Sequence, residues 1–175
     1  MSEIPDTLGP PVAKEHFADL VFVERAKESD LNEICRMALK LEIELKTISD
    51  SSRKLPTTSM LEARYRERIL NDKTCVLLAK DGDNVTGFLY GWVDPSIKQS
   101  GWVHGIYVEP EYRKRGHSRR LLAEFEDFTR TNNLNQIGCQ TYIDSPSHSM
   151  FLENGWKEFM KVGNDEVKLI KNISQ

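Results

Sequence analysis

The chain has 175 residues, 39% of them hydrophobic and 29% charged, and a formal net charge of -3; that is enough for one hydrophobic core and too short for two ordinary domains. The acidic balance argues against a general nucleic-acid binder, no apolar run approaches the roughly 18 residues of a membrane span, and residues 1–20 lack the basic start and apolar stretch of a secretory signal, so the expected location is cytoplasmic. Three widely spaced cysteines, Cys35, Cys75 and Cys139, suggest neither a disulfide framework nor a metal site and are expected to be buried, inert thiols.

Residues 1–18, with three prolines and no periodicity, read as a flexible N-terminal extension, which leaves 19–173 as a single domain. Leu20–Arg25 suits a first strand, and Ser29 or Asp30 can cap the helix that follows, whose apolar face is Leu31, Ile34, Ala38, Leu41, Leu45 and Ile48. After a break at Ser49–Pro56, Ser59 and Glu62 form a capping box for a second helix carrying Leu61, Tyr65 and Ile69. Strands then follow at Thr74–Lys80 and Val85–Val93, joined by a turn at Asp81–Asn84, and at Gly101–Val108 after a turn around Asp94–Ser96. A helix from Gly116 to Asn132, a strand at Ile137–Ile143, a short helix at Ser147–Glu153 stopped by Gly155, and strands at Trp156–Val162 and Glu166–Ile170 complete the order. This is a mixed sheet with helices, an α/β (α+β) arrangement without regular alternation.

The segment Val103–Leu122 carries the chemistry. A strand leads through Pro110 into Arg113-Lys114-Arg115-Gly116-His117-Ser118 and then an amphipathic helix. A helix start exposes unpaired N–H groups with partial positive charge, so it can hold phosphate oxygens by backbone alone. Gly116 permits close approach, and so dense a basic run at a helix N-terminus conflicts with the helix dipole unless an anion sits there. Neither GxGxxG nor GxxxxGK[ST] is present, which removes the dinucleotide and P-loop readings.

Val108-Glu109-Pro110-Glu111-Tyr112-Arg113-Lys114-Arg115-Gly116 resembles the GNAT superfamily of N-acetyltransferases, whose Q/R-x-x-G-x-G/A motif corresponds here to Arg113-x-x-Gly116-x-Ser118. Phe151-Leu152-Glu153-Asn154-Gly155-Trp156 is similar to the family's second block, and the order of elements extends the resemblance from about Leu20 to Ile170. The resemblance implies a GNAT fold, a mixed, mostly antiparallel sheet of six or seven strands flanked by about four helices and splayed at the strand 101–108. It implies acetyl-CoA as co-substrate without a metal, a direct transfer to a primary amine of a small-molecule acceptor, and a homodimer. By the same resemblance Ile106, Tyr107 and Val108 pair with the pantetheine arm, Arg113, Lys114, Arg115, Gly116, His117, Ser118 and Arg119 or Arg120 hold the phosphates and adenosine, and Asp144 and Phe151 occupy coenzyme-contacting positions.

Three departures from the family pattern stand out: Ser118 for a second glycine or alanine, Asp144 for an asparagine, and Phe151 for the tyrosine that many relatives use to protonate the departing thiolate. Asp144 reads more simply as a cap of the short helix. His104 occupies the strand position that is often acidic and is the candidate general base; a strand histidine satisfied by its neighbours is the structural alternative. Simple alternation puts Trp102, His104 and Ile106 on one face, with Tyr90 and Trp92 on the next strand as further walls of an acceptor site. Lys46–Tyr65 and Asp94–Gly101, where acceptor specificity resides in the family, show no concentrated acidic wall. A protein acetyltransferase and a non-catalytic acyl-CoA-binding module remain as alternatives.

Overall fold

A computed structural model describes residues 21–49, 54–93 and 100–173. Among these described residues seven strands form one sheet: β1 (Phe22–Arg25), β2 (Thr74–Asp81), β3 (Asn84–Val93), β4 (Ser100–Val108), β5 (Gln136–Tyr142), β6 (Lys157–Val162) and β7 (Glu166–Asn172). Their spatial order is β1-β2-β3-β4-β5-β7-β6, and every neighbouring pair is antiparallel except β4 and β5. Among the described residues four α-helices accompany the sheet: α1 (Leu31–Ser49), α2 (Thr58–Leu70), α3 (His117–Thr131) and α4 (Pro146–Glu153). The expected extension at 1–18 and the turn at Asp94–Ser96 lie outside the described residues.

Period-two alternation along the strands separates two cores. Leu77, Ala79, Leu89, Val103, Val108, Ile137, Val167 and Leu169 point to one face, where Leu121, Leu122 and Phe125 of α3 and Phe151 of α4 cover them. Val76, Leu78, Phe88, Tyr90 and Tyr107 point to the other, beneath Ile34, Met37 and Ala38 of α1 and Leu61 and Tyr65 of α2. The cysteines are unpaired and buried, and burial raises all three thiols, Cys75 to about 12.

Three helix starts differ from the sequence expectation. Thr57, rather than Ser59, caps α2: the chain is still extended at Thr57 (φ -76°, ψ 160°), and its hydroxyl oxygen accepts the Met60 N–H at 3.3 Å. Asp30 closes a 3-10 turn over Glu28–Asp30 by accepting the Lys27 N–H at 2.8 Å, and this turn feeds directly into α1. Ser145, not Asp144, caps α4, accepting the His148 N–H at 3.1 Å. Pro146 then suits the first helical position, where an N–H would have no partner anyway.

Candidate active site

Two irregularities of β4 create the site. Tyr90 pairs with Gly105 and Gly91 with Val103, so the register steps over His104 in a bulge. The extra residue keeps His104 and Gly105 on the same face: the His104 ring lies against Tyr90 and Trp92, and a Cβ on Gly105 would meet Tyr90 and Leu41. Ile106 is thereby turned to the α3 core. The expectation that Trp102, His104 and Ile106 share one face is corrected: Trp102 and His104 do, and Ile106 does not.

The second irregularity is a splay. β4 and β5 pair only from Ser100 opposite Gln136 to Val103 opposite Cys139. Beyond that point β4 runs on to Val108 while β5 remains with β7. One edge of β4 after Val103 is left without a strand partner, and its main-chain N–H and C=O groups need hydrogen bonds from whatever enters the gap.

A cleft of about 320 Å³ opens there, lined by Ala38, Leu41, Glu42 and Leu45 of α1, by Trp102–Ile106 of β4, by Cys139–Tyr142 of β5, and by Tyr65, Tyr90, Ser147, Phe151 and Glu166. The Trp102 indole lies across β5 because Gly138 has no side chain; a Cβ there would come within 2.5 Å of the ring. Of the residues named from sequence, His104, Ile106, Tyr90, Trp102 and Phe151 meet in this cleft. Trp92 stands behind His104, their ring centroids 4.5 Å apart. Phe151 is buried and packs on Trp156 at 4.8 Å, so α4 offers no phenol there; its cleft-lining hydroxyl is that of Ser147, bonded to Thr141 at 2.7 Å.

At the far end of β4 the chain turns into α3 through Gly116 in the left-handed region (φ 87°, ψ -2°), with no side-chain cap and no acidic residue in the first turn. The leading N–H groups of α3 are therefore open to an anion. Lys114 is also left-handed, at φ 61°. Lys114, Arg115, Arg119 and Arg120 are exposed, the Arg115 guanidinium resting 5.6 Å from the Tyr112 ring centroid. Ser118 is half-buried beside them.

Two members of this loop turn elsewhere. Arg113 donates through Nε to the Val108 carbonyl at 2.9 Å and through Nη2 to Glu44 of α1 at 2.5 Å, so its side chain braces the loop. His117 is buried, with Nδ1 2.8 Å from the Thr86 hydroxyl. Because that hydroxyl gives its proton to the Ala79 carbonyl at 3.1 Å, His117 is the donor, and it offers the loop its backbone only. Asp144 lies outside the cleft, beside a second cavity with Tyr142, Ile143 and Asp165, in a left-handed conformation (φ 61°). Its N–H donates to His148 Nδ1 at 3.2 Å.

Glu109, which follows β4, is buried and receives Lys40 at 2.9 Å, the Arg36 guanidinium, and the Tyr107 hydroxyl at 3.2 Å. Burial pushes its carboxyl up, but the hydrogen bonds and charges of Lys40 and Arg36 outweigh that and hold it below the ordinary carboxylate range. Burial, with the Glu109 charge, pushes the Tyr107 phenol up to about 12. Glu109 thus clamps α1 to the C-terminal end of β4 and is not available as a base.

The model of the "Acetyltransferase (GNAT) family" matches residues 42–156. The chain belongs to the GNAT acetyltransferase family. It is 27% identical over 101 residues, 55% of this chain and 68% of its counterpart, to the uncharacterized N-acetyltransferase YhfO of Bacillus subtilis. An acetyltransferase from Thermus thermophilus superposes with a TM-score of 0.71 at 14% identity, over 87% of this chain and 97% of the other. The spermidine N-acetyltransferase of Vibrio cholerae, solved with CoA and spermine, does so with 0.68 at 19%, over 88% and 96%.

As a GNAT acetyltransferase the chain uses acetyl-CoA, and its residues fit that molecule. The uncapped α3 start with its basic rim matches the phosphates, and the unpaired edge of β4 matches an arm bearing amide groups. Among the described residues no cluster of metal-ligating side chains occurs, and no helix is long and apolar enough to cross a membrane.

Glu42, Tyr142, Ser147 and Glu166 were missed by the sequence reading. Glu42 left one trace: it intrudes, at i+4 from Ala38, on an otherwise apolar helix face. Glu166 left none, because only the pairing of β7 with β5 brings it to the cleft.

Proposed function

We propose that this acetyltransferase transfers the acetyl group directly to the primary amine of a small-molecule acceptor, with His104 as general base. The observation that carries the reading is the position of His104 in a cleft lined by α1, Tyr65, Tyr90 and Trp102; a walled cleft suits a small amine better than a peptide chain. When bound, acetyl-CoA would supply an activated acetyl group: the N–C bond to the acceptor amine would form as the C–S bond of the thioester breaks, and the sulfur would leave as thiolate with the electron pair of that bond.

His104 receives the proton that the amine loses, directly or through water. Its contacts with Trp92 and Tyr90 fix the ring. The main chain of Ile106–Val108 and the first turn of α3 orient the coenzyme, so the reaction gains chiefly from positioning. A thiol with a pKa of roughly 8.5 leaves tolerably near neutrality without an acid, and the Ser147 hydroxyl is the donor α4 can offer it. Residues 19–173 acting as one domain in the cytoplasm, as a homodimer, belong to the same proposal.

A thiol-release assay with acetyl-CoA and a panel of amines and lysine peptides tests it. Turnover of small amines is expected. Turnover of peptides alone would support a protein acetyltransferase, and coenzyme binding without turnover of any amine would overturn the catalytic reading.

A further inference from the structure

Arg68 of α2 carries a charge that no carboxylate balances. Its Nη1 is buried and has no hydrogen-bond partner, and among the described residues it makes no ion pair. Aromatic faces stand where a carboxylate would: the guanidinium carbon lies 4.2 Å from the Tyr90 ring centroid, 5.3 Å from that of Tyr65 and 5.8 Å from that of Trp92. Burial lowers the guanidinium below its ordinary value, yet an arginine keeps its charge in a folded protein. A sheltered charge without a partner is costly, and ring stacking offsets only part of that cost.

Tyr90 and Trp92 are also the rings against which His104 rests, at centroid distances of 5.0 and 4.5 Å. The shared Tyr90 ring brings the Arg68 charge within about 9 Å of the imidazole. The carboxylates of the cleft act in the opposite sense. Glu42 enters from α1 and Glu166 from β7; Arg64 of α2 faces Glu42 across 3.7 Å, and Gln140 of β5 donates to Glu166. Tyr65, Tyr90, Tyr142 and Cys139 are the other titratable groups of the described lining, and burial pushes Tyr65 and Cys139 up, which keeps both neutral. Lys168 stands beyond Trp102, 5.8 Å from its ring centroid. Carboxylates favour the protonated imidazole, and a protonated imidazole accepts nothing from an amine.

We propose that Arg68 is a positioning residue for the reaction: its unpaired charge, stacked on the rings that hold His104, keeps the imidazole unprotonated against the carboxylates of the cleft. This deepens, and rests on, the reading of His104 as the base.

The test is an NMR titration of the His104 ring, its resonance identified by its loss in His104→Ala, together with the pH dependence of kcat/KM. Arg68→Met removes the charge and keeps an unbranched chain against the rings, and Arg68→Lys keeps the charge. In Arg68→Met the His104 titration and the acid limb of the rate profile should both move up by about half to one pH unit, as a charge about 9 Å away produces at a partly buried site. Arg68→Lys should stay near wild type. An unmoved His104 titration in folded Arg68→Met would overturn the proposal, and so would an equal shift in Arg68→Lys, which would assign the effect to packing. A titration that moves while the acid limb does not would sustain the coupling and remove His104 as the base. Arg68→Gln removes the same charge and carries the same expectations if Arg68→Met does not fold.

Discussion

The His104 imidazole lies against the Trp92 indole, with ring centroids 4.5 Å apart and planes inclined by 31°. Alternation along β4 puts His104 on the face of Tyr90 and Trp92, and the bulge keeps Gly105, which has no side chain, beside it on that face. His104→Ala should lower kcat by about a hundredfold, the low end for loss of a general base. The acid limb of the wild-type pH–rate profile should vanish with it. A profile of unchanged shape would remove His104 from the chemistry.

Gly116 enters α3 at φ 87°, a region that costs a residue with a side chain about 1–2 kcal/mol. Gly116→Ala should therefore lower Tm by about 2–8 °C, and it should raise KM for acetyl-CoA with less effect on KM for the amine. Ser118→Val, which places branched bulk beside the open N–H groups, should raise KM for acetyl-CoA with little change in Tm. Initial-rate kinetics with each substrate varied in turn, together with melting curves, check both variants.

These two sites differ in how readable they were. The loop before α3 is local: Arg113, Gly116 and Ser118 lie within six consecutive residues, and a glycine before an amphipathic helix announces itself. The apolar stripes of α1 and α3 were equally legible, because helical periodicity is written in neighbouring residues. The bulge was not, since it exists only in the pairing of Tyr90 with Gly105 across two strands, and it overrode the alternation that put Ile106 beside His104. Helix starts were misread by one or two residues where several serines and threonines competed to cap, as at Thr57 and Ser145. Glu42 of α1 and Glu166 of β7 both reach the cleft, a juxtaposition set by the whole sheet.

His117 is pushed below its ordinary value by burial, which outweighs the pull of Asp81 and is helped by Arg115. The folded state thus favours the neutral ring. Its contribution to stability should be complete above the unfolded-state value, about 6.5, and should be lost as pH falls through that value toward the lowered one. Melting curves from pH 8 to pH 5 should show wild type losing stability over this window and His117→Asn losing less. Parallel curves would contradict the buried, neutral assignment.

Glu109 shows the opposite pattern. Held low by Lys40 and Arg36, it should stabilise the fold at neutral pH, and that contribution should disappear as pH drops below the ordinary carboxylate value, about 4.3, toward the lowered one. Glu109→Ala at pH 7 should cost about 1–3 kcal/mol in urea unfolding. It should also weaken acetyl-CoA binding by loosening α1 from the loop that Arg113 and Glu44 brace.

The central claim is direct transfer within one cleft, and intact-protein mass spectrometry joined to product analysis tests it most directly. After incubation with acetyl-CoA alone the protein mass should be unchanged. On adding a small primary amine that the protein turns over, each equivalent of thiol released should match one equivalent of N-acetylated amine. A protein that gains an acetyl group and passes it to the amine, or that releases thiol without forming the amide, would contradict the account.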